Sequence, residues 1–339
     1  MDQFSAHLDR GWDLVQKGDT RGAEGSARSA LQIDEESPEA YNLLGYAAAL
    51  EGDFEEALEH YEQALHLDDG YLEAMLNAAE ICIHPLAHYD QAESLCDQAL
   101  ELAENSEERV DALLLKFDAL LGGNDIDAAR AVCRAFPDGP FENEGHTFLV
   151  GRALYEAGMV EDAYPLIERS IKAHPDNPEA QYYMGLLLDE RGDSAGATQA
   201  FLRSRDLDLG VPAPPWSLTR ETFQSTIQNI VSRVREDLQS FISPSEVFIA
   251  DLPGVEVISD GVDPRSLLLL DAIAETEGKP SKARLFVYQR NVERLAGALE
   301  LLTGEFKDAL ERELAAGFLD AGNESEETAR STRNRRVLN

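Results

Sequence analysis

Apolar positions recur at helical spacing along the first two thirds of the chain, in blocks of about 34 residues. Leu8, Trp12 and Val15 share one helical face, and the same places one block later hold Asn42, Tyr46 and Ala49. Small residues keep the same time: Gly11 returns as Gly45, Gly18-Asp19 as Gly52-Asp53, Ala23 as Ala57, Ala27 as Tyr61, Ala30 as Ala64 and Ile33 as Leu67. With a one-residue insertion near His84-Pro85-Leu86-Ala87-His88, the third block supplies Ala92, Cys96 and Ala99. The fourth supplies Asn124-Asp125, Ala128, Val132 and Ala135, and the fifth Gly151, Gly158, Ala163 and Ile167. The sixth has Gly185, Gly192-Asp193, Ala197 and Phe201. A fixed period of this length predicts six stacked helix-turn-helix units over 1–210. Gly-Asp at the turns suits a helix that stops on glycine and a next one capped by aspartate. Pro38, Pro175 and Pro178 fall between units, where a helix must end.

The pattern then changes. Pro212-Ala213-Pro214-Pro215 breaks the period, so 211–218 is expected to be a linker. One amphipathic helix is predicted over 219–241, with Phe223, Ile227, Ile230, Val234, Leu238 and Phe241 on one side. Val247 to Ala250 and Arg284 to Tyr288 read as strands, Ser266 to Ala274 as a short helix, and Val292 to Leu302 and Glu305 to Phe318 as further helices. The expected fold is mainly α: a superhelical solenoid followed by a small α+β domain over 219–322, with a disordered tail over 323–339.

The repeat resembles the tetratricopeptide repeat family. The second unit reads Tyr41-x2-Leu44-Gly45-x2-Ala48, then Ala57-x3-Tyr61, with Asp69 where the family prefers proline. The resemblance implies that the first helix of each unit lines a concave groove. Carried over by offset, the candidate partner-binding residues are Leu8, Trp12, Tyr46, Leu76, Ile83, Phe117, Phe148, Arg152, Tyr155 and Tyr182, beside Leu113, Leu120 and Leu186. Some family members hold a C-terminal carboxylate with Lys, Asn and Arg in this groove. Here Arg152 is the only cation in the lining, so an apolar, amphipathic helix is the better-suited occupant.

The C-terminal segment resembles a bacterial minimal zincin-like family of possible metallopeptidases. The resemblance rests on Gly261-Val262-Asp263-Pro264, on Leu285-Phe286-Val287-Tyr288-Gln289-Arg290-Asn291-Val292-Glu293-Arg294, and on the order of helices and strands. That family's catalytic helix carries His-Glu-x-x-His, whose two histidines hold zinc while the glutamate activates water. The matching residues here are Arg312, Glu313 and Ala316, and the last histidine in the chain is His174. Carboxylates alone make a poor zinc site. No metal or other cofactor is expected, and Glu313 reads as a structural ion-pair partner.

Charge narrows the partners. The chain carries a formal net charge of −36. Residues 1–210 hold 14 Lys and Arg against 44 Asp and Glu, a net of −30. Such a surface repels nucleic acid and anionic lipid and steers a basic segment. Three cysteines, no run long and apolar enough for a membrane span, and no secretory signal at the start lead to a cytoplasmic expectation. His84 and His88 are read as insertion-loop residues rather than ligands. The leading expectation is an inactive scaffold or adaptor that binds an apolar, basic protein segment. One alternative is a hydrolase with a relocated site; another is a solenoid groove closed by the C-terminal domain. The partner's identity and the oligomeric state stay open.

Overall fold

The computed structural model describes residues 2–274 and 280–319. The chain separates into two compact units, 1–175 and from 176 onward. The expected tail, 323–339, lies outside the described residues.

The first unit contains five helix pairs. They are α1 (Gln3–Gln16) with α2 (Thr20–Leu31), α3 (Pro38–Glu51) with α4 (Phe54–Leu67), and α5 (Leu72–Ile83) with α6 (Tyr89–Leu102). Then come α7 (Ser106–Gly122) with α8 (Ile126–Cys133), and α9 (Glu144–Glu156) with α10 (Val160–Ala173). The turn inside each pair passes through the left-handed region, at Gly18, Gly52, Ala87, Asn124 and Gly158. Glycine meets that demand without strain, and asparagine tolerates it. The aspartate after the turn then starts the next helix: the Asp19 and Asp125 side chains accept from the Gly22 and Ala128 amides. Asp53 occupies the same place without a side-chain bond.

The matched glycines mark where the two helices of a pair touch. A Cβ on Gly45 would lie 2.6 Å from the Tyr61 ring and 3.0 Å from the Ala57 carbonyl oxygen. One on Gly151 would lie 2.9 Å from Ile167. In both pairs the bulky residue stands 16 positions after the glycine, since 45 to 61 and 151 to 167 are the same step. Where that later position is Ala27, Gly11 instead faces Leu43 of the next pair. The fourth pair departs from expectation: α8 stops at Cys133, so Ala135 lies beyond the helix. Pro137 explains the early end, because in a longer helix its ring would meet the Cys133 carbonyl.

The second unit begins with the sixth pair, α11 (Pro178–Glu190) and α12 (Ser194–Gly210), joined through left-handed Gly192. It continues with α13 (Arg220–Val231), β1 (Ile242–Ala250), α14 (Val255–Ser259), β2 (Leu268–Ala274) and β3 (Pro280–Tyr288). Helices α15 (Gln289–Ala296) and α16 (Leu302–Leu314) follow, and α16 runs on into a π-helical turn, Ala315–Leu319. The sheet order is β1-β3-β2, with β1 parallel and β2 antiparallel to the central strand. Val247, Leu285 and Val287 join Phe223, Ile227, Phe306 and Leu310 in one core.

Two local expectations change here. Ser266 to Ala274 is not a helix: β2 starts at Leu268 and pairs with β3, Leu268 opposite Val287 and Leu270 opposite Leu285. A short leucine run fits either period, and only the waiting edge of β3 decides between them. The long helix over 219–241 ends at Val231. Beyond it the chain turns, with Glu311 accepting from the Arg235 amide, and Val234 and Leu238 still reach the same core. The proline-rich 211–218 also lies inside the second compact unit rather than between the two.

Candidate partner-binding surface

The first helices of successive pairs form one layer, α1 against α3, α3 against α5, α5 against α7 and α7 against α9. Equivalent residues therefore stack from pair to pair. Trp12 and Tyr46 meet edge to face, with ring centroids 5.4 Å apart. Leu8, Trp12, Tyr46 and Leu76 are each half-buried and keep part of their apolar surface exposed. Phe148 and Arg152 are half-buried as well.

Not every expected groove residue faces outward. Phe117 is 0 % exposed and Ile83 4 %, so both are core residues that support the layer from within. Leu113, Leu120, Tyr155 and Leu186 are likewise buried. The offset rule places each residue on the first helix of its pair but does not give the rotation of its side chain, which depends on what packs behind it. Arg152 is already engaged, 3.4 Å from Asp118 and 3.8 Å from Glu156. Burial pushes the Asp118 carboxyl above its ordinary range, although the Arg152 cation opposes that.

A polar cluster joins the second and third pairs. Asn42, fully buried, donates to the Tyr71 hydroxyl and to Glu73, and accepts from Asn77 at 3.0 Å. Another feature had no sequence signal strong enough to single it out. The buried His146 places Nδ1 2.6 Å from Glu107 and Nε2 2.8 Å from Asp111. Glu107 also accepts from the Glu142 and Asn143 amides. Burial raises the Glu107 pKa, but those amides and His146 outweigh it and hold the carboxyl below its usual range. The only hint in the sequence is two carboxylates four apart on α7, whose partner lies 35 residues further on. Cys82, Cys96 and Cys133 are buried free thiols, pushed up by burial to about 11, 12 and 12, which keeps them protonated at neutral pH. His84 and His88 sit at the two ends of the turn between α5 and α6.

In the second unit the groove position of the sixth pair is taken by the chain itself. Tyr182 donates from its hydroxyl to Asp263 at 2.9 Å, and the Arg265 guanidinium lies 4.1 Å from the centre of its ring. Arg265 also grips Glu179 with two bonds of 2.7 Å. Arg290 donates to the backbone oxygens of Asp208 and Val211, and Arg294 pairs with the Asp208 carboxylate at 2.7 Å. Asn291 donates to the carbonyls of Pro264 and Ser266, while buried Glu293 accepts from Ser217 and from the Leu218 amide. The two C-terminal motifs singled out in the sequence thus hold each other, the proline-rich segment and the last helix pair together.

Arg312, Glu313 and Ala316 are all exposed. Glu313 was expected to form an ion pair; among the described residues no cation lies within ion-pair distance of it. Glu313 is exposed on α16, whose buried residues include Phe306, Leu310 and Leu314. Among the described residues no three His, Cys, Asp or Glu side chains converge as a metal site requires, and no helix is long and apolar enough to cross a membrane.

Tetratricopeptide repeat models match residues 8–71, 149–210 and 74–110, over the helix pairs just described. The first two thirds of the chain carry tetratricopeptide repeats. Two solved structures share the fold. PilF of Pseudomonas aeruginosa is 19 % identical with a TM-score of 0.52, covering 66 % of this chain and 97 % of its own. PilW, a type IV pilus biogenesis factor, is 15 % identical with a TM-score of 0.52, covering 60 % and 92 %. Protein FlbA of Caulobacter vibrioides is 25 % identical over 266 residues, 74 % of this chain. The match spans only 41 % of that relative's length.

Proposed function

We propose that this repeat protein is a protein-interaction scaffold whose first-helix layer binds an apolar, basic segment of a partner. The observation that carries this reading is the half-exposed row Leu8, Trp12, Tyr46 and Leu76 within a region of net charge −30. Aromatic anchors of this kind contribute most of an interface's affinity, and surrounding charge acts mainly on encounter. Phosphate-bearing partners, both nucleic acid and anionic membrane, are disfavoured by the same charge.

The C-terminal portion is read as a zincin-like domain that has lost its catalysis, with Arg312 and Ala316 at the places of the zinc-binding histidines. Its surviving motif residues serve structure: Asp263 and Arg265 close the sixth repeat, and Asn291 and Glu293 hold the loops around it. Closure of the sixth repeat supports the reading in which the C-terminal domain occupies part of the groove and leaves the earlier repeats to the partner.

The test is a partner captured from the native cell extract and then measured by titration calorimetry. Trp12→Ala or Tyr46→Ala is expected to weaken binding by about 2 kcal/mol or more. A partner that maps wholly to 219–319, with affinity indifferent to both substitutions, would refute the proposal.

A further inference from the structure

The buried histidine between the fourth and fifth repeats has more partners than one protonation state can use. His146 stands in the first turn of α9 and is 2 % exposed. Its Nδ1 lies 2.6 Å from the Glu107 carboxylate and its Nε2 2.8 Å from that of Asp111, both on α7. An ionised carboxylate only accepts, so serving both requires a proton on each ring nitrogen, which is the imidazolium. A third group faces the same Nε2: the Asn143 Nδ2, at 3.3 Å. Its orientation is fixed, because Asn143 caps α9 and its Oδ1 accepts from the Gly145 amide at 3.0 Å. An amide NH2 only donates, so it is idle against the imidazolium but satisfies the lone pair of a neutral ring.

The two carboxylates are held unequally. Glu107 also accepts from the Glu142 and Asn143 amides, and its side chain is 23 % exposed. The Asp111 carboxylate has no other partner among the described residues, and its side chain is 48 % exposed, so it has a way out to water. Among the described residues His146 is the one cation in ion-pair contact with either. The other charged groups on the elements around the ring are Glu108 and Arg109 on α7, and Arg134, Asp138 and Glu142 between α8 and α9. Glu144 on α9 is taken by His174 at 2.7 Å, and Arg169 of α10 lies beside Gly139.

We propose that His146 is a proton-operated switch at the joint of the fourth and fifth repeats. Protonated, the ring ties Glu107 and Asp111 together. Neutral, it keeps Glu107 on its Nδ1–H, accepts from the Asn143 Nδ2 at Nε2, and releases the Asp111 carboxylate to water. The step is the loss of one proton from Nε2 to solvent, which leaves the cluster one charge more negative. Asn143 still caps α9, while His146 loses one of its two links to α7. The switch does not depend on the partner-binding reading.

The test is nitrogen NMR of the imidazoles in the full chain, isotope-labelled and titrated from about pH 5 upward, with His146 assigned by comparison with His146→Gln. Both His146 nitrogens should read as protonated at the acid end. On raising the pH, Nε2 alone should lose its proton, and the Asp111 side-chain carboxyl carbon signal should move at the same midpoint. Asn143→Asp keeps a helix cap but replaces the donor with an acceptor, so the midpoint should rise by about one pH unit or more. The wild-type titration decides alone if that variant does not fold. The proposal is overturned if the neutral ring carries its proton on Nε2, or if the ring never holds two protons. It is overturned equally if both protons stay on throughout the pH range of the folded protein, or if folded Asn143→Asp leaves the midpoint unmoved.

Discussion

Asp208 holds the last repeat to the C-terminal domain, and removing its charge should loosen the second unit without altering its shape. The carboxylate is 3 % exposed, bonds Arg294 at 2.7 Å and lies 3.9 Å from the Arg265 Nε. That Nε has no hydrogen-bond partner of its own, so it depends on the nearby negative charge. Breaking a buried pair from one side costs about 3–5 kcal/mol, because the remaining charge stays desolvated. Arg294 is 36 % exposed and can turn toward water, which returns part of that cost. The expected loss for Asp208→Asn is therefore about 2–3 kcal/mol. With a urea dependence of about 1–3 kcal/mol per molar, the midpoint should fall by roughly 1 M. The chain has two tryptophans, and Trp216 packs against the C-terminal core. Urea titration of Trp216 fluorescence in a Trp12→Phe background therefore reports the second unit. Asp206→Asn, an exposed carboxylate beside Arg205, is the control and should shift stability by less than about 0.5 kcal/mol. An unmoved midpoint for Asp208→Asn, or no coupling between Asp208→Asn and Arg294→Ala in a double-mutant cycle, would refute the reasoning.

Gly45→Leu should cost about 1–3 kcal/mol by overpacking, since even a Cβ would sit 2.6 Å from Tyr61 and 3.0 Å from a backbone oxygen; unchanged thermal melting and helicity would contradict the helix contact described. Purified protein should carry well under one equivalent of zinc by elemental analysis, because neither Arg312 nor Ala316 can ligate it; tightly bound, stoichiometric zinc near Glu313 would end the inactive-domain reading. The Glu107 carboxyl is held below its unfolded pKa of about 4.3, so its contribution is present above that value and is lost as pH falls through the folded pKa. Glu107→Gln should flatten the acid limb of the first unit's stability curve, measured by denaturant titration at stepped pH; an unchanged limb would show that the carboxylate is not linked to folding there.

The repeat architecture was legible in the sequence because each requirement is local. A left-handed turn wants glycine or asparagine, a helix start wants aspartate, and a close crossing wants glycine opposite one large side chain. Those demands recur every 34 residues and are met at Gly18, Gly45, Gly52, Asp125, Gly151 and Gly192. Tertiary structure decided what depends on distant neighbours. Leu268 to Ala274 is a strand only because β3 offers an open edge. Phe117 and Tyr46 occupy comparable places along their helices, yet one is sealed in the core and the other is half-exposed, because burial depends on what packs alongside. The closure of the sixth repeat joins Glu179, Tyr182 and Asp208 to Asp263, Arg265 and Arg294 across 57 to 86 positions, a range over which helical or strand periodicity carries no information.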